Sequence, residues 1–291
     1  MDVDRYIVLQ KIIELGGFTK AADALGFTQS AVSQMISSLE DELGMKLLTR
    51  SRTGVGLTAE GAQLYPFIER SILAYRAMLE KSKEIMGLET GVIRVGTVSS
   101  VTCHWLPGLI KGFRQMYPKV QFVFHQGDYN SITEWVKTGA VDFGFVNPAA
   151  ARGLNTVEIK TGRMLAVLPH GHPLAEGGTV KLSELCREPY ILLEEGDYSE
   201  PLEVFGTVGA EPDIRYVMHD DYAIMTMVEA GLGVSILAEL VLRRVAYNIV
   251  CLPTEPPVLR TLAVAYKDKA ALPAASKRFI DYIRANAENL Y

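Results

Sequence analysis

The spacing of apolar residues between positions 28 and 43 constrains the fold of this chain more than any other feature. Thr28 can cap a helix, and apolar residues then recur at steps of four, three and four. These residues are Val32, Ile36, Leu39 and Leu43. The other side of the segment carries short hydrogen-bonding side chains, namely Gln29, Ser30, Ser33, Gln34 and Ser37. The pattern predicts an amphipathic helix with one buried face and one polar, exposed face.

Two further helices are predicted before this one. Tyr6, Leu9 and Ile13 recur at helical spacing, and a pair of glycines at 16–17 follows them. Thr19 is suited to cap a short helix over residues 20–25. Gly26 would end that helix, which leaves a turn of about three residues before the helix described above. Two helices joined by such a turn form a helix-turn-helix.

A β-wing and a long helix are predicted next. Residues 53–56 form a turn-rich stretch between short extended pieces, with Arg50 and Arg52 beside it. The helix runs from residue 59 to about 86, so it is roughly 45 Å long at 1.5 Å per residue. Its apolar stripe consists of Leu64, Ile68, Ile72, Tyr75 and Leu79. Because a small domain cannot cover a stripe of that length, we expect it to pair with the same helix of a second copy.

From residue 92 onwards, short apolar strands alternate with helices, which predicts an α/β domain. Ligands of open α/β sheets bind beyond the carboxyl ends of the strands, so polar residues that follow strands are the candidates for binding a small molecule. These candidates are Ser99, Ser100, Thr102, Gln126, Asp128, Asn147, Glu195, Tyr198 and His219. Helix capping and solvated loops are the alternative roles for each of them. The hydroxyl groups suit an anion and the acidic residues oppose one, so a carboxylate, a zwitterion and a neutral polar compound all stay open.

Residues 17–25 and 28–34 closely resemble the DNA-binding domain of LysR-type transcriptional regulators. Shorter fragments resemble the family's effector domain, at 106–107, 117–118, 142–144, 172–174 and 228–233. The resemblance implies a two-lobed effector domain like that of periplasmic binding proteins, with the chain crossing between the lobes near Lys160 and near Val264. It also implies a homodimer that associates further into a tetramer.

The expected fold is therefore α+β and multidomain, in three parts. Residues 1–58 would form a winged helix-turn-helix, residues 59–88 a linker helix for dimerisation, and residues 89–291 the α/β effector domain. We place the first lobe at about 89–160 and 265–291, and the second at about 161–264.

With this resemblance, the polar face of the third helix becomes a candidate DNA-binding surface. Glutamine and serine can hydrogen-bond base edges in the major groove, which assigns Gln29, Ser30, Ser33 and Gln34 to base contact. Arg50 and Arg52 would contact phosphates or enter the minor groove. The chain carries a net charge of −5, and residues 1–60 hold six basic and eight acidic residues. DNA binding must therefore depend on the placement of charges, and a dimer would occupy an interrupted palindrome.

Other classes of protein are less consistent with the sequence. A solute-binding protein for transport explains the two lobes but leaves the helix-turn-helix without a role, and no acid, base and nucleophile set supports an enzyme. Three cysteines without CxxC spacing indicate neither a disulfide framework nor a zinc site, and no cofactor or metal is expected. No apolar segment is long enough to cross a membrane, and no signal peptide is recognised, so we expect a cytoplasmic protein.

Overall fold

The computed structural model describes residues 3–51, 54–85, 91–244 and 246–290. The chain divides into two compact units, Met1–Met86 and Gly87–Tyr291, and each is described by itself. The three-part division expected from the sequence stays a prediction. Among the described residues, no helix is long and apolar enough to cross a membrane.

The described part of the N-terminal unit contains four helices and one hairpin. They are α1 (Val3–Leu15), α2 (Phe18–Leu25), α3 (Gln29–Leu43), β1 (Leu48–Ser51), β2 (Gly54–Leu57) and α4 (Ala59–Ile85). The two strands pair antiparallel, with Leu48 opposite Leu57. The core joins apolar residues of α1, α2, α3 and α4, and Leu9, Ile12 and Val32 are fully buried in it.

Local signals set the ends of these helices, with one exception. The Thr28 hydroxyl accepts a hydrogen bond from the Ala31 amide at 3.2 Å, as expected of a cap. Gly26 ends α2 with a φ of 72°, a left-handed conformation that glycine adopts without steric cost. The prediction that Thr19 caps α2 is wrong. The helix begins at Phe18, and Gly17 occupies the cap position without a side-chain hydrogen bond.

The C-terminal unit alternates strands and helices. Its strands are β3 (Gly91–Thr97), β4 (Val120–Gln126), β5 (Phe143–Val146), β6 (Asn155–Pro169), β7 (Val180–Lys181), β8 (Pro189–Leu193), β9 (Asp213–Met218), β10 (Ser235–Ala238) and β11 (Ile249–Tyr266). Its helices are α5 (Ser99–His104), α6 (Leu106–Met116), α7 (Tyr129–Thr138), α8 (Leu182–Leu185), α9 (Glu200–Thr207), α10 (Asp221–Glu229) and α11 (Ala274–Ala285). Residues 99–102, predicted as a loop before a helix near Leu106, form the start of the short helix α5.

One sheet runs through the whole unit in the order β10-β6-β11-β5-β3-β4, and β7 pairs with β11 at its side. The neighbours of β3 are parallel to it, whereas the long strands β6 and β11 are antiparallel to each other. Strands β8 and β9 form a separate parallel pair.

The long strands contribute to the cores of two lobes. Ile159 and Leu262 are buried in the core around β3, β4 and β5, which we call lobe I. Met164 and Val258 are buried in a core around β8, β10 and α9, which belongs to lobe II. The chain therefore passes between the lobes at about 160–163 and at 259–261. Val264, the predicted second crossing point, lies within the core of lobe I.

Candidate functional sites

The polar face of α3 is open to solvent. Gln29, Ser30 and Gln34 are exposed, and Ser33 is half-exposed. Ser30 shares a hydrogen bond of 3.0 Å with the Thr28 hydroxyl at the start of the helix. Arg50 lies on β1, where its backbone pairs with Val55, and Arg52 lies outside the described residues. The structure thus presents the predicted base-contacting residues on one free surface of the unit.

Two of the three acidic residues of α3, Glu40 and Glu42, are engaged in contacts within the N-terminal unit. Glu42 forms an ion pair of 2.7 Å with Arg5. Glu40 is buried, and its Oε1 accepts hydrogen bonds from the amides of Leu47 at 2.8 Å and Leu48 at 3.2 Å. Its Oε2 pairs with Lys46 at 2.7 Å. Burial alone would raise the pKa of Glu40, but these donors together lower it below its ordinary value.

The apolar stripe predicted for α4 is divided between two environments. Ile68 and Ile72 are buried in the core of the N-terminal unit, because α1 packs against the first half of α4. Their assignment to a dimer seam is therefore a mistake. Leu64 and Tyr75 are half-buried, and Leu79 remains exposed. A different line of apolar side chains faces solvent, made up of Phe67, Ala74 and Met78.

A cavity of about 260 Å³ lies between the two lobes of the C-terminal unit. Its lining consists of Val98, Ser99, Ser100, Gln126, Gly127, Asp128, Leu193, Glu194, Glu195, His219 and Asp221. Six of the nine residues expected to bind a ligand are among them: Ser99, Ser100, Gln126, Asp128, Glu195 and His219. They converge because the loops after β3, β4, β8 and β9 meet at this edge.

The other three candidates are engaged in hydrogen bonds elsewhere and are not among the residues that line the cavity. The Thr102 hydroxyl bonds to Thr97 and to the carbonyl of Val98, because α5 turns it towards the strand. Asn147 is buried and donates to Glu200 at 2.9 Å. The hydroxyl of Tyr198 bonds to Glu203 on α9.

Behind the cavity, a buried polar network joins the lobes around Arg260. Its Nε donates to the Tyr129 hydroxyl at 2.6 Å, and its Nη1 donates to Ser100 at 3.3 Å. Its Nη2 pairs with Glu195 at 2.7 Å. The Tyr129 hydroxyl in turn donates to Glu200 at 2.9 Å. Because Ser100 and Tyr129 belong to lobe I while both glutamates belong to lobe II, this network holds the two lobes together.

The network contains more negative than positive charge. Burial raises the pKa of Glu195 to about 7, although Arg260 opposes the shift. Burial also raises the pKa of Asp221, again against the effect of Arg260. The Arg260 guanidinium is therefore the cation that interacts with three neighbouring carboxyl groups, those of Glu195, Glu200 and Asp221.

Sequence reasoning missed Arg260, Tyr129 and Glu200. Arg260 lies on β11 two residues before the apolar run at 262–265, and an arginine beside so apolar a run indicates a buried partner. Tyr129 and Glu200 carried no such signal, since each is the first residue of a helix and resembles an ordinary helix start.

The N-terminal fold and the interlobe cavity together define a helix-turn-helix DNA-binding protein with a two-lobed ligand-binding domain. The family model described as bacterial regulatory helix-turn-helix protein, lysR family, matches residues 4–62. The model of the LysR substrate binding domain matches residues 86–288. The chain belongs to the LysR family of transcriptional regulators.

Similar proteins match nearly the whole chain, one in sequence and two in fold. The uncharacterized HTH-type transcriptional regulator YvbU of Bacillus subtilis (strain 168) is 32% identical over 284 residues, which cover 97% of each chain. A full-length OxyR variant from Pseudomonas aeruginosa has the same fold, with a TM-score of 0.70, 21% identity and coverage of 100% of this chain and 97% of that one. CbnR, solved in complex with its target DNA, gives a TM-score of 0.63 at 21% identity, with coverage of 98% and 99%.

Proposed function

We propose that this regulator binds an interrupted palindrome as a dimer and is controlled by a small polar metabolite in the interlobe cavity. The observation that carries the proposal is the convergence of six polar residues, predicted from the sequence to lie after strands, on one cavity of about 260 Å³. That volume lies just below the usual range of drug-sized pockets and suits a small metabolite.

The exposed face of α3 is the surface that we propose contacts base edges and gives sequence specificity. We expect Gln29→Ala to relax base preference at particular positions by about 1–3 kcal/mol, as a lost bidentate contact would. Gln63→Ala is the matched control, because Gln63 is exposed on α4 of the same unit. Footprinting and titration on the DNA upstream of the protein's own gene measure both variants. Unchanged base preference in Gln29→Ala would remove the proposed role of this face.

The exposed side of α4 supports dimerisation. Phe67 and Met78 are 60% and 58% exposed, and Ala74 lies between them at coiled-coil spacing. We expect Phe67→Glu with Met78→Glu to remove one step of self-association in sedimentation, because charges would be buried in the seam. Circular dichroism should stay unchanged, since neither side chain is in the core. A mass identical to that of the parent protein would contradict this seam.

A second self-association surface would account for a tetramer. Strands β4 and β9 each end a set of paired strands, and both expose apolar side chains. These are Val123 and Phe124 on β4 and Ile214, Tyr216 and Val217 on β9. Exposed apolar strand edges favour pairing with another chain, which supports contact between effector domains.

Control by a ligand is tested with Ser99→Ala combined with Gln126→Ala. The two side chains hydrogen-bond each other at 3.1 Å in the cavity wall. We expect any metabolite that raises the melting temperature of the parent protein in a library screen to lose that effect in the double variant. Binding to DNA without a metabolite should stay the same. Gln121→Ala, at the opposite end of β4, should behave like the parent. An undiminished shift in the double variant would place the ligand elsewhere.

A further inference from the structure

The lining of the interlobe cavity is strongly acidic. Four of its lining residues are acidic, Asp128, Glu194, Glu195 and Asp221, and of these Asp128 also caps α7 through its carboxylate. Among the described lining residues, none is a lysine or an arginine. The one lining base is His219, whose Nε2 lies 3.6 Å from a carboxylate oxygen of Glu194. An anionic ligand would meet these acidic residues without a lysine or arginine in the described lining to receive it.

Arg260 does not change this balance, although it lies close behind the cavity. All three guanidinium nitrogens are already donating, to Tyr129, Ser100 and Glu195. The side chain is only 4% exposed. Its charge is shared among three carboxyl groups, so the network keeps an excess of negative charge next to the ligand space.

Asp221 has a carboxylate oxygen without a hydrogen-bond donor in the part of the chain that the structure describes, which is an observation independent of the acidic lining. It is 6% exposed and lines the cavity, and its Oδ1 accepts no hydrogen bond from any described residue. The cap of α10 does not explain it, because the neighbouring Asp220 performs that function by accepting from the Ala223 amide at 2.8 Å. A buried acceptor without a donor is unfavourable, so a donor delivered by a ligand would stabilise the bound state.

We infer that the effector carries a cationic nitrogen, such as an ammonium or amidinium group, which binds between Asp221 and Glu195. The inference rests on the proposed function and adds the chemical class of the ligand that the cavity would bind. A cationic donor satisfies Oδ1 of Asp221 and offsets the surplus charge of the network in one contact. The remainder of the ligand faces Ser99 and Gln126.

The test uses the full-length protein and three probes with the same four-carbon chain: butane-1,4-diamine, 4-aminobutanoate and butanedioate. Calorimetry at pH 8 should show binding of one or both ammonium compounds and none of butanedioate. Asp221→Asn should weaken the ammonium compounds at least tenfold. Asp213→Asn is the matched control, because Asp213 pairs with Arg215 at the surface, and it should bind as the parent does. Glu194→Gln, at the cavity rim, should weaken binding about threefold and gives a second variant if Asp221→Asn folds poorly.

Three outcomes would overturn the inference: butanedioate binding more tightly than the diamine, equal binding by the parent and both cavity variants, or no ammonium compound binding at 50 mM. DNA titration in the same samples distinguishes failure of the cationic assignment from failure of the proposed function. If metabolites of another charge still shift melting and alter DNA binding through the Ser99 and Gln126 wall, only the cationic assignment is lost. If no compound of any charge does so, the proposed function is lost as well.

Discussion

Glu40 and the carboxyl groups of the interlobe network show two opposite treatments of buried acidic residues in one chain. Glu40 receives two backbone amides and the ammonium of Lys46, and its pKa falls. Glu195, Glu200 and Asp221 share one guanidinium, and burial raises the pKa of Glu195 to about 7. Glu40 has a complete set of donors and belongs to the fold, whereas the carboxyl groups beside the cavity share an incomplete set.

The strongest test of this contrast removes the single cation of the network. Arg260→Met should lower the free energy of unfolding of the C-terminal unit by about 3–5 kcal/mol, because three carboxyl groups would be left buried without a counter-ion. Both tryptophans, Trp105 and Trp135, lie in this unit, so tryptophan fluorescence in urea measures it. Arg215→Met removes an exposed pair on β9 and should change stability little. Equal stability of the two variants would show that the network contributes nothing to the fold.

A smaller effect is expected from changing Glu40, whose carboxylate has a complete set of donors. Glu40→Ala removes the acceptor for two backbone amides at the start of the wing and should cost about 2 kcal/mol of N-terminal stability. Helical circular dichroism during urea unfolding measures the loss. Asp41→Ala is the control, because Asp41 is the exposed neighbour on the same helix. If the two variants unfold together, Glu40 is not the link between α3 and the wing.

The smallest effect is the dependence of stability on pH, which should differ in sign between the two sites. The pKa of Glu40 is lowered in the folded state, so its contribution is present above the unfolded value near 4.3 and is lost as pH falls. The pKa of Glu195, which faces Arg260, Glu200 and Asp221, is raised to about 7. Its contribution is present below the unfolded value and is lost as pH rises to 7.

Tryptophan fluorescence should therefore show the C-terminal unit about 1–2 kcal/mol less stable at pH 8 than at pH 5.5. Glu195→Gln should flatten this dependence, whereas Glu40→Gln should leave it intact. A C-terminal unit that gains stability over the same range would exclude a raised pKa at Glu195.

Sequence patterns anticipated the features that depend on neighbouring residues. The cap at Thr28 and the left-handed helix end at Gly26 depend on residues within one helical turn of each position. The local sequence alone therefore indicates them. The cavity wall was also foreseeable, because a general rule places ligand groups after strands. The pattern on α4 showed that Ile68 and Ile72 share one side, but periodicity does not reveal which neighbour covers that side. The role of Arg260 was not predicted for a related reason. The residues that it contacts, Ser100, Glu195 and Glu200, lie from 60 to 160 residues away in the chain.

The pairing of β6 with β11 sets the mechanics of the effector domain. At the crossing, Arg260 lies opposite Gly162, Leu259 lies opposite Arg163, and the hydroxyls of Thr161 and Thr261 share a hydrogen bond of 2.8 Å. Sliding of one lobe past the other would break this register at every rung. The ribbon can still bend and twist, because strands do both without exchanging partners. Relative motion of the two lobes is therefore confined to bending and twisting of this two-stranded ribbon.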